Sequence, residues 1–273
     1  MNFVYREWEK LCLNVLSKYN CIRIDEIPKQ PPNKPWVAIK HDVETNVEKA
    51  FELAKIENAH NIHATYFVQS YLLEDNFTLL NKMADLGHEV SYHYDVLDAN
   101  NGNMQLALRE FTDTVTRFED LGFQINSVCP HGNPLIIRDG WSSNKDFFRN
   151  SEVVSLFPNM FDVVIQASDV IKSKFLYISD AGYSWKLIGN VDSNDVSNAG
   201  DIEIATYREF VALIDSCDNV IVSSHPHRWC KSNASAIFQL SKFKLVRFMA
   251  KRLSKISFLK KFMSKFYYLA KKI

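Results

Sequence analysis

Short apolar runs that end in ionisable residues and lead straight into a helical pattern recur along this chain. That alternation narrows the fold more than any other feature. The first run is Pro35-Trp36-Val37-Ala38-Ile39, which reads as a buried parallel strand. It ends in Lys40-His41-Asp42-Val43-Glu44, and a helical pattern follows from Asn46 to Asn58. Polar groups at the C-terminal end of a strand, just before a helix, sit where α/β enzymes place their chemistry.

The same event repeats downstream. His63–Val68 reads as a strand, Asn76–Leu86 as a helix stopped by Gly87, and Glu89–Tyr92 as a strand. Asn103–Leu121 is a long helical pattern stopped by Gly122, and Asn126–Cys129 is a short strand. Between 131 and 200 the pattern is less regular, with a loop around Pro134–Asn144 and short strands at Val163–Ile165 and Phe175–Ser179. Residues 189–201 have the composition of a surface loop. Tyr207–Asp215 is helical and Asn219–Ser223 is a strand. Strand–helix alternation of this kind predicts an α/β fold with a parallel sheet, and a closed or nearly closed (β/α) barrel is the expected form. Three segments follow: an N-terminal amphipathic helix and Pro-rich connector over 1–34, the barrel over 35–230, and a basic amphipathic helical tail over 231–273. There is no fixed-period repeat and no GxGxxG or GxxxxGK[ST] phosphate loop.

In a parallel barrel the strand C-termini share one face, so residues distant in sequence converge there. His41, Asp42 and Glu44 follow the first strand, and His93 and Asp95 the third. His131 follows the fourth, Asp180 the strand near 178, and His225 and His227 the last. Five of the eight histidines therefore end strands, whereas His60, His63 and His88 fall outside the pattern and read as structural. Converging imidazoles and carboxylates suit a borderline divalent metal such as zinc, and they also suit general acid–base catalysis.

The order Lys40–Glu44, Gly87–Asp95, Cys129–Pro134, Tyr177–Trp185 and His225–Trp229 resembles the NodB-type polysaccharide deacetylases, carbohydrate esterase family four, over roughly residues 35–230. The likeness is greatest to the WbmS-like branch associated with bacterial surface-polysaccharide loci. Gly87-His88-Glu89 leading to His93 is its most specific piece, and His225-Pro226-x-Arg228-Trp229 the next. The resemblance implies a distorted (β/α) barrel, a divalent metal, commonly zinc, and hydrolysis of an N-acetyl group from an amino sugar. It implies that Asp42 matches the first-motif aspartate, His93 the first metal histidine, and His225 the late general acid. Two departures stand out. Leu97 occupies the place of the usual second metal histidine, and the adjacent aspartates of the first motif become His41-Asp42-Val43-Glu44. His131 is then the expected replacement ligand beside Asp42 and His93, and the base is either Asp42 or Glu44. Asp180 is expected to orient His225. Arg228, Trp185, Trp229 and Asn133 are expected at the substrate, an amino sugar with a nucleotide or lipid carrier. The alternative is a carbohydrate-binding protein or scaffold on a barrel that has lost its metal, which Leu97 would favour.

Charge is unevenly distributed. Residues 1–218 hold all 32 acidic residues and 19 of the 32 basic ones, a net of −13, whereas 219–273 hold 13 basic residues and no acid. Within 242–273, Val246, Met249, Leu253, Ile256, Leu259, Met263, Phe266 and Ala270 recur at helical steps among lysines and arginines. Such a helix is expected to lie on an anionic membrane surface. The five cysteines form no zinc-knuckle spacing and read as reduced, the N-terminus lacks a signal-like apolar run, and no stretch of 18 uninterrupted apolar residues occurs. The expected place is therefore the cytoplasm, peripheral on the inner membrane face, with no nucleic-acid partner.

Overall fold

The computed structural model describes residues 2–30, 34–133, 136–193 and 200–253. Part of the Pro-rich connector (31–33), Pro134 of the His131 motif, part of the polar loop (194–199) and the tail beyond 253 lie outside the described residues.

The chain opens with α1 (Tyr5–Asn14), β1 (Cys21–Ile22), β2 (Trp36–Val43), α2 (Val47–Asn58) and β3 (Thr65–Val68). It continues through α3 (Phe77–Asp85), β4 (Glu89–Tyr94), α4 (Val96–Ala99), α5 (Met104–Asp120) and β5 (Ser127–Pro130). Then come α6 (Asp146–Arg149), α7 (Ser151–Leu156), β6 (Phe161–Asp162), α8 (Ala167–Ile171), β7 (Leu176–Ser179), β8 (Trp185–Leu187) and β9 (Ile202–Ile204). The described chain ends with α9 (Tyr207–Asp215), β10 (Asn219–Ser224) and α10 (Asn233–Leu253).

The fold is mixed α/β. Its sheet runs in the order β6-β5-β4-β3-β2-β10-β7-β8-β9, with β1 paired to β2. From β6 to β7 every pairing is parallel, and only β7–β8 and β8–β9 are antiparallel. That matches the barrel-type α/β architecture expected, with an added antiparallel edge at β8 and β9. The early strands are legible because they are buried on both faces. All eight residues of β2 are buried, which is why it reads as a continuous apolar run until its last polar residues.

Period-two alternation divides each strand between two cores. Trp36, Ala38, Phe67, Cys129, Phe161, Tyr177 and Ile221 share an inner cluster. Val37, Ile39, Val43, Tyr66, Val68, Tyr92 and Val222 face the outer layer of helices. The N-terminal helix belongs to that outer core, because Trp8, Leu11 and Cys12 are fully buried within it.

Helix starts follow capping chemistry. Asn46 accepts the Lys49 N–H, Asn103 the Leu106 N–H, and Thr206 and Glu209 form a reciprocal capping box. Gly87 stands at φ +89 after α3, where a Cβ would come within 2.9 Å of His63, so both conformation and space require glycine. One strand lies earlier than its sequence suggests. Asp162 Oδ1 accepts the N–H groups of Val164 and Ile165, which turns the chain and ends β6 at Asp162 instead of continuing through 163–165. The described part of the tail is helical. No helix among the described residues is long and apolar enough to cross a membrane.

Candidate active site

Alternation along β2 sorts the first motif. Lys40 and Asp42 point to the inner face, whereas His41 points outward and bonds Glu57 at 2.7 Å. Trp8 Nε1 and Tyr66 Oη donate to the same buried Glu57. His41 is thus part of the packing between sheet and helices, although it ends a strand. His88 is structural as its position suggested: its Nδ1 accepts from Ala64 N–H and its Nε2 donates to the Ala54 carbonyl.

At the C-terminal ends of β2, β4 and β5 three side chains converge. His131 Nδ1 lies 3.3 Å from His93 Nε2 and 3.2 Å from Glu44 Oε1, and His93 Nε2 lies 4.0 Å from the same Glu44 oxygen. Ligand atoms at about 2.0–2.1 Å from a tetrahedral zinc stand roughly 3.3 Å apart. The three atoms fit one such ion, with Glu44 a short movement from its place. The tautomer of His93 fits too. Its Nδ1 donates to the Cys129 carbonyl at 3.0 Å, which leaves the Nε2 lone pair facing Glu44 and His131. Burial pushes His93 down to about 3, so its imidazole is neutral near pH 7. Burial opposes ionisation of Glu44, yet the surrounding histidines, His131 foremost, hold its carboxyl well below the usual range.

Asp42, His93 and Cys129 form a second close group. Here a cation is already in place: Lys40 Nζ lies 2.5 Å from Asp42 Oδ1 and 3.1 Å from Cys129 Sγ. Burial would lower the Lys40 pKa, but Asp42 holds it well above its ordinary value, so the ammonium persists. Burial and Asp42 together keep the Cys129 thiol protonated, and a thiol is a poor metal ligand. Of the expected ligands Asp42, His93 and His131, geometry brings the two histidines together with Glu44, while Asp42 lies near His93 and is tied to Lys40.

His225 completes the face. Its Nδ1 donates to Asp180 Oδ1 at 2.6 Å, and its Nε2 lies 3.8 Å from Asp42 Oδ2. Asp180 is fully buried and also accepts from Ser224 Oγ, His225 N–H and Arg228 Nη1. Burial would raise its pKa, but Arg228 and His225 hold it well below the usual range. Asp180 is thus a buried anion that accepts from His225 Nδ1.

The four residues expected at the substrate are buried or turned inward. Arg228 is turned inward onto the carboxylate and carbonyl of Asp180, with Tyr183 over its guanidinium. Trp185 and Trp229 are buried against Phe3 and Trp8, so neither offers a ring face to a sugar. Trp229 instead donates to Ser224 Oγ, which holds Asp180. Asn133 is also buried, and its carbonyl accepts from Arg138.

Lys40 and His227 also stand at the site, although the motif pattern assigns them no role. The inward parity of Lys40 was available from the alternation of β2. His227 Nδ1 lies 3.9 Å from Glu44 Oε2, and burial pushes the ring down to about 4, so it faces the site as neutral imidazole. The loop that carries His131 is fastened by Asp98. This buried carboxylate accepts from Arg138, Trp141 and Asn144, and Asn144 also donates to the His131 carbonyl. Leu97, at the position of the absent histidine, packs in the outer core.

No family model matches the chain, and no curated protein sequence does. Among solved structures, a family 4 carbohydrate esterase from Streptomyces lividans in complex with acetate superposes at a TM-score of 0.45 with 14% identity, over 78% of this chain and 89% of that one. A CE4 esterase from Streptococcus mutans superposes at 0.45 with 14% identity, over 87% and 90%. A CE4-family pseudoenzyme from Bacillus anthracis superposes at 0.44 with 15% identity, over 78% and 62%. Both esterases and a pseudoenzyme thus stand among the structural neighbours, and the chemistry of this chain follows from its own side chains.

Proposed function

We propose that this chain is a divalent-metal-dependent hydrolase that removes an N-acetyl or similar acyl group from an amino sugar. The observation that carries this reading is the convergence of Glu44, His93 and His131 beside the His225–Asp180 pair. A divalent ion held by those three side chains, zinc in the reading from sequence, would polarise the acyl carbonyl and acidify water.

The chain's own groups supply the proton transfers. Burial disfavours charge on Asp42, but Lys40, His93 and His225 hold its carboxyl at about 2. It is therefore an anion at working pH, and it accepts a proton only from strongly acidified water. Oδ2 is its accepting atom, because Oδ1 is engaged by Lys40. Between Asp42 and Glu44, this makes Asp42 the base. His225 Nδ1 is held by Asp180, and its Nε2, turned to the site, is the atom placed to donate to the leaving amine. Neutral His227 is placed to orient an acyl or sugar oxygen.

The setting in bacterial surface-polysaccharide synthesis rests on the sequence resemblance. The competing reading, a sugar-binding barrel without metal, draws on the buried Leu97, whose ligand place His131 can fill from another strand. The test is acetate release from carrier-linked N-acetyl amino sugars. The reading predicts release that chelation stops and added divalent ion restores. Protein that retains no divalent ion after incubation with it, yet binds such sugars without releasing acetate, would establish the competing reading.

A further inference from the structure

Among its described side chains, helix α10 touches the body through one side. Gln239 bonds Lys49 Nζ, the His227 carbonyl and Cys230 Sγ, and Phe243 packs on Tyr183 with ring centroids 4.7 Å apart. The opposite side carries four large apolar side chains that face water, with Ser241 and Arg252 exposed on the same arc. Ile237 is 65% exposed, Phe238 73%, Leu245 60% and Phe248 57%. At about 100° per residue these four fall within an arc of roughly 100°, centred away from Gln239 and Phe243. Lys242 and Lys244 are exposed at its two edges, and Arg252 lies over the Phe248 ring.

Four large apolar side chains held in water along one stripe call for a partner. Charge specifies which kind. From 219 onward the sequence has 13 basic residues and no acidic one. A helix meant to stay in water gains from mixed signs at i,i+4 spacing, and this one has none. Nucleic acid would use the charge but leave Phe238 and Leu245 wet. A protein partner would bury the stripe without needing cations on both of its edges. An anionic lipid surface satisfies both features, with the apolar arc at the acyl boundary and the flanking lysines reaching the phosphates.

We infer that the outer face of α10 is an interfacial anchor for an anionic bilayer, holding the barrel at the membrane surface. The sequence beyond 253 has the same composition, with Lys255, Lys260, Lys261, Lys265, Lys271 and Lys272 among Phe, Leu, Met and Tyr. The inference does not depend on the hydrolytic reading, because α10 contributes none of the site's side chains.

Co-sedimentation of the full chain with vesicles tests it. The protein pellets with phosphatidylcholine vesicles containing phosphatidylglycerol and stays in the supernatant with phosphatidylcholine alone, and raising salt releases it. Replacing Phe238, Leu245 and Phe248 together by Ser lowers partitioning by well over tenfold, since each large apolar group contributes roughly a factor of ten. Lys242→Glu with Lys244→Glu lowers it about tenfold or more. Both variants keep the wild-type circular dichroism spectrum. Equal pelleting with neutral and anionic vesicles overturns the inference. So does absence of pelleting with either vesicle while the wild type self-associates and Phe238→Ser dissociates it, which would make the stripe a contact between copies. Retention on nucleic acid alone overturns it as well.

Discussion

His131 Nδ1 stands 3.3 Å from His93 Nε2, so a loop after β5 brings a ring nitrogen to a ligand position beside β4. The residue four places after His93 is Leu97, which is buried in the outer core and could not point a ligand into the site. Two adjacent strands thus supply what a single strand–helix turn does not, because His93 pairs with Cys129 across the β4–β5 ladder, two residues before His131.

The loop that carries His131 should depend on Asp98. Asp98→Ala leaves Arg138 unpaired and removes acceptors from Trp141 and Asn144. Breaking a buried charge pair costs about 3–5 kcal/mol. Weakening support behind a ligand lowers metal affinity by roughly 10–100-fold. Denaturant titration and calorimetric metal titration check the two effects separately.

His225→Ala should lower kcat by roughly 10²–10⁴-fold with bound metal unchanged. Asp180→Asn should act in the same direction, because the amide no longer fixes the proton on His225 Nδ1. Steady-state kinetics with metal analysis of the same samples separates this from loss of the ion.

Lys40→Met removes the cation that counters the burial of Asp42. Its carboxyl then rises, so the acid limb of the kcat/KM profile moves toward neutral pH. Stability falls by about 3–5 kcal/mol, as for other unpaired buried charges. An unmoved acid limb in a folded variant would remove Asp42 from the role of base.

Glu89 opens β4 at the end opposite the site, and burial with nearby Asp25 raises its carboxyl to about 7. The folded chain binds this proton more tightly than the unfolded one. Its contribution is therefore complete below the ordinary glutamate range and is lost as pH rises to about 7. Glu89→Gln should flatten that fall, since the amide can donate to Ser127 while still accepting from Thr65 and the Asp25 N–H. Thermal unfolding between pH 4 and 8 reads the difference.

The alternation of buried strands with helices was legible because the parallel strands are buried on both faces and end in polar clusters. Asp42, Glu44, His93, His131, Asp180 and His225 were legible for the same reason, since strand C-termini share one face. Direction of side chains was harder. His41 and Asp42 are neighbours in sequence but face opposite layers, and the parity that separates them is visible only once the inner face is known. Trp185 and Trp229 looked like sugar platforms from composition, yet they are buried by Phe3 and Trp8, more than 170 residues away in sequence. No local signal carries such a contact. The pairing of β8 and β9 went unread because the two three-residue strands flank the polar stretch 189–201 and are too short to show a pattern of their own. The apolar stripe expected from Val246 onward falls mostly outside the described side chains, and Val246 itself, though exposed, lies off the arc of Ile237, Phe238, Leu245 and Phe248.

The most direct test of the metal assignment is the zinc content of purified protein and five variants after equilibration and desalting. Wild type should retain about one ion per chain, as a three-ligand site with one open position does. Glu44→Ala, His93→Ala and His131→Ala should each lose it, whereas Asp42→Asn and Cys129→Ser should keep it. Retention by His131→Ala together with loss in Asp42→Asn and Cys129→Ser would move the ion to the Lys40 side and contradict the account.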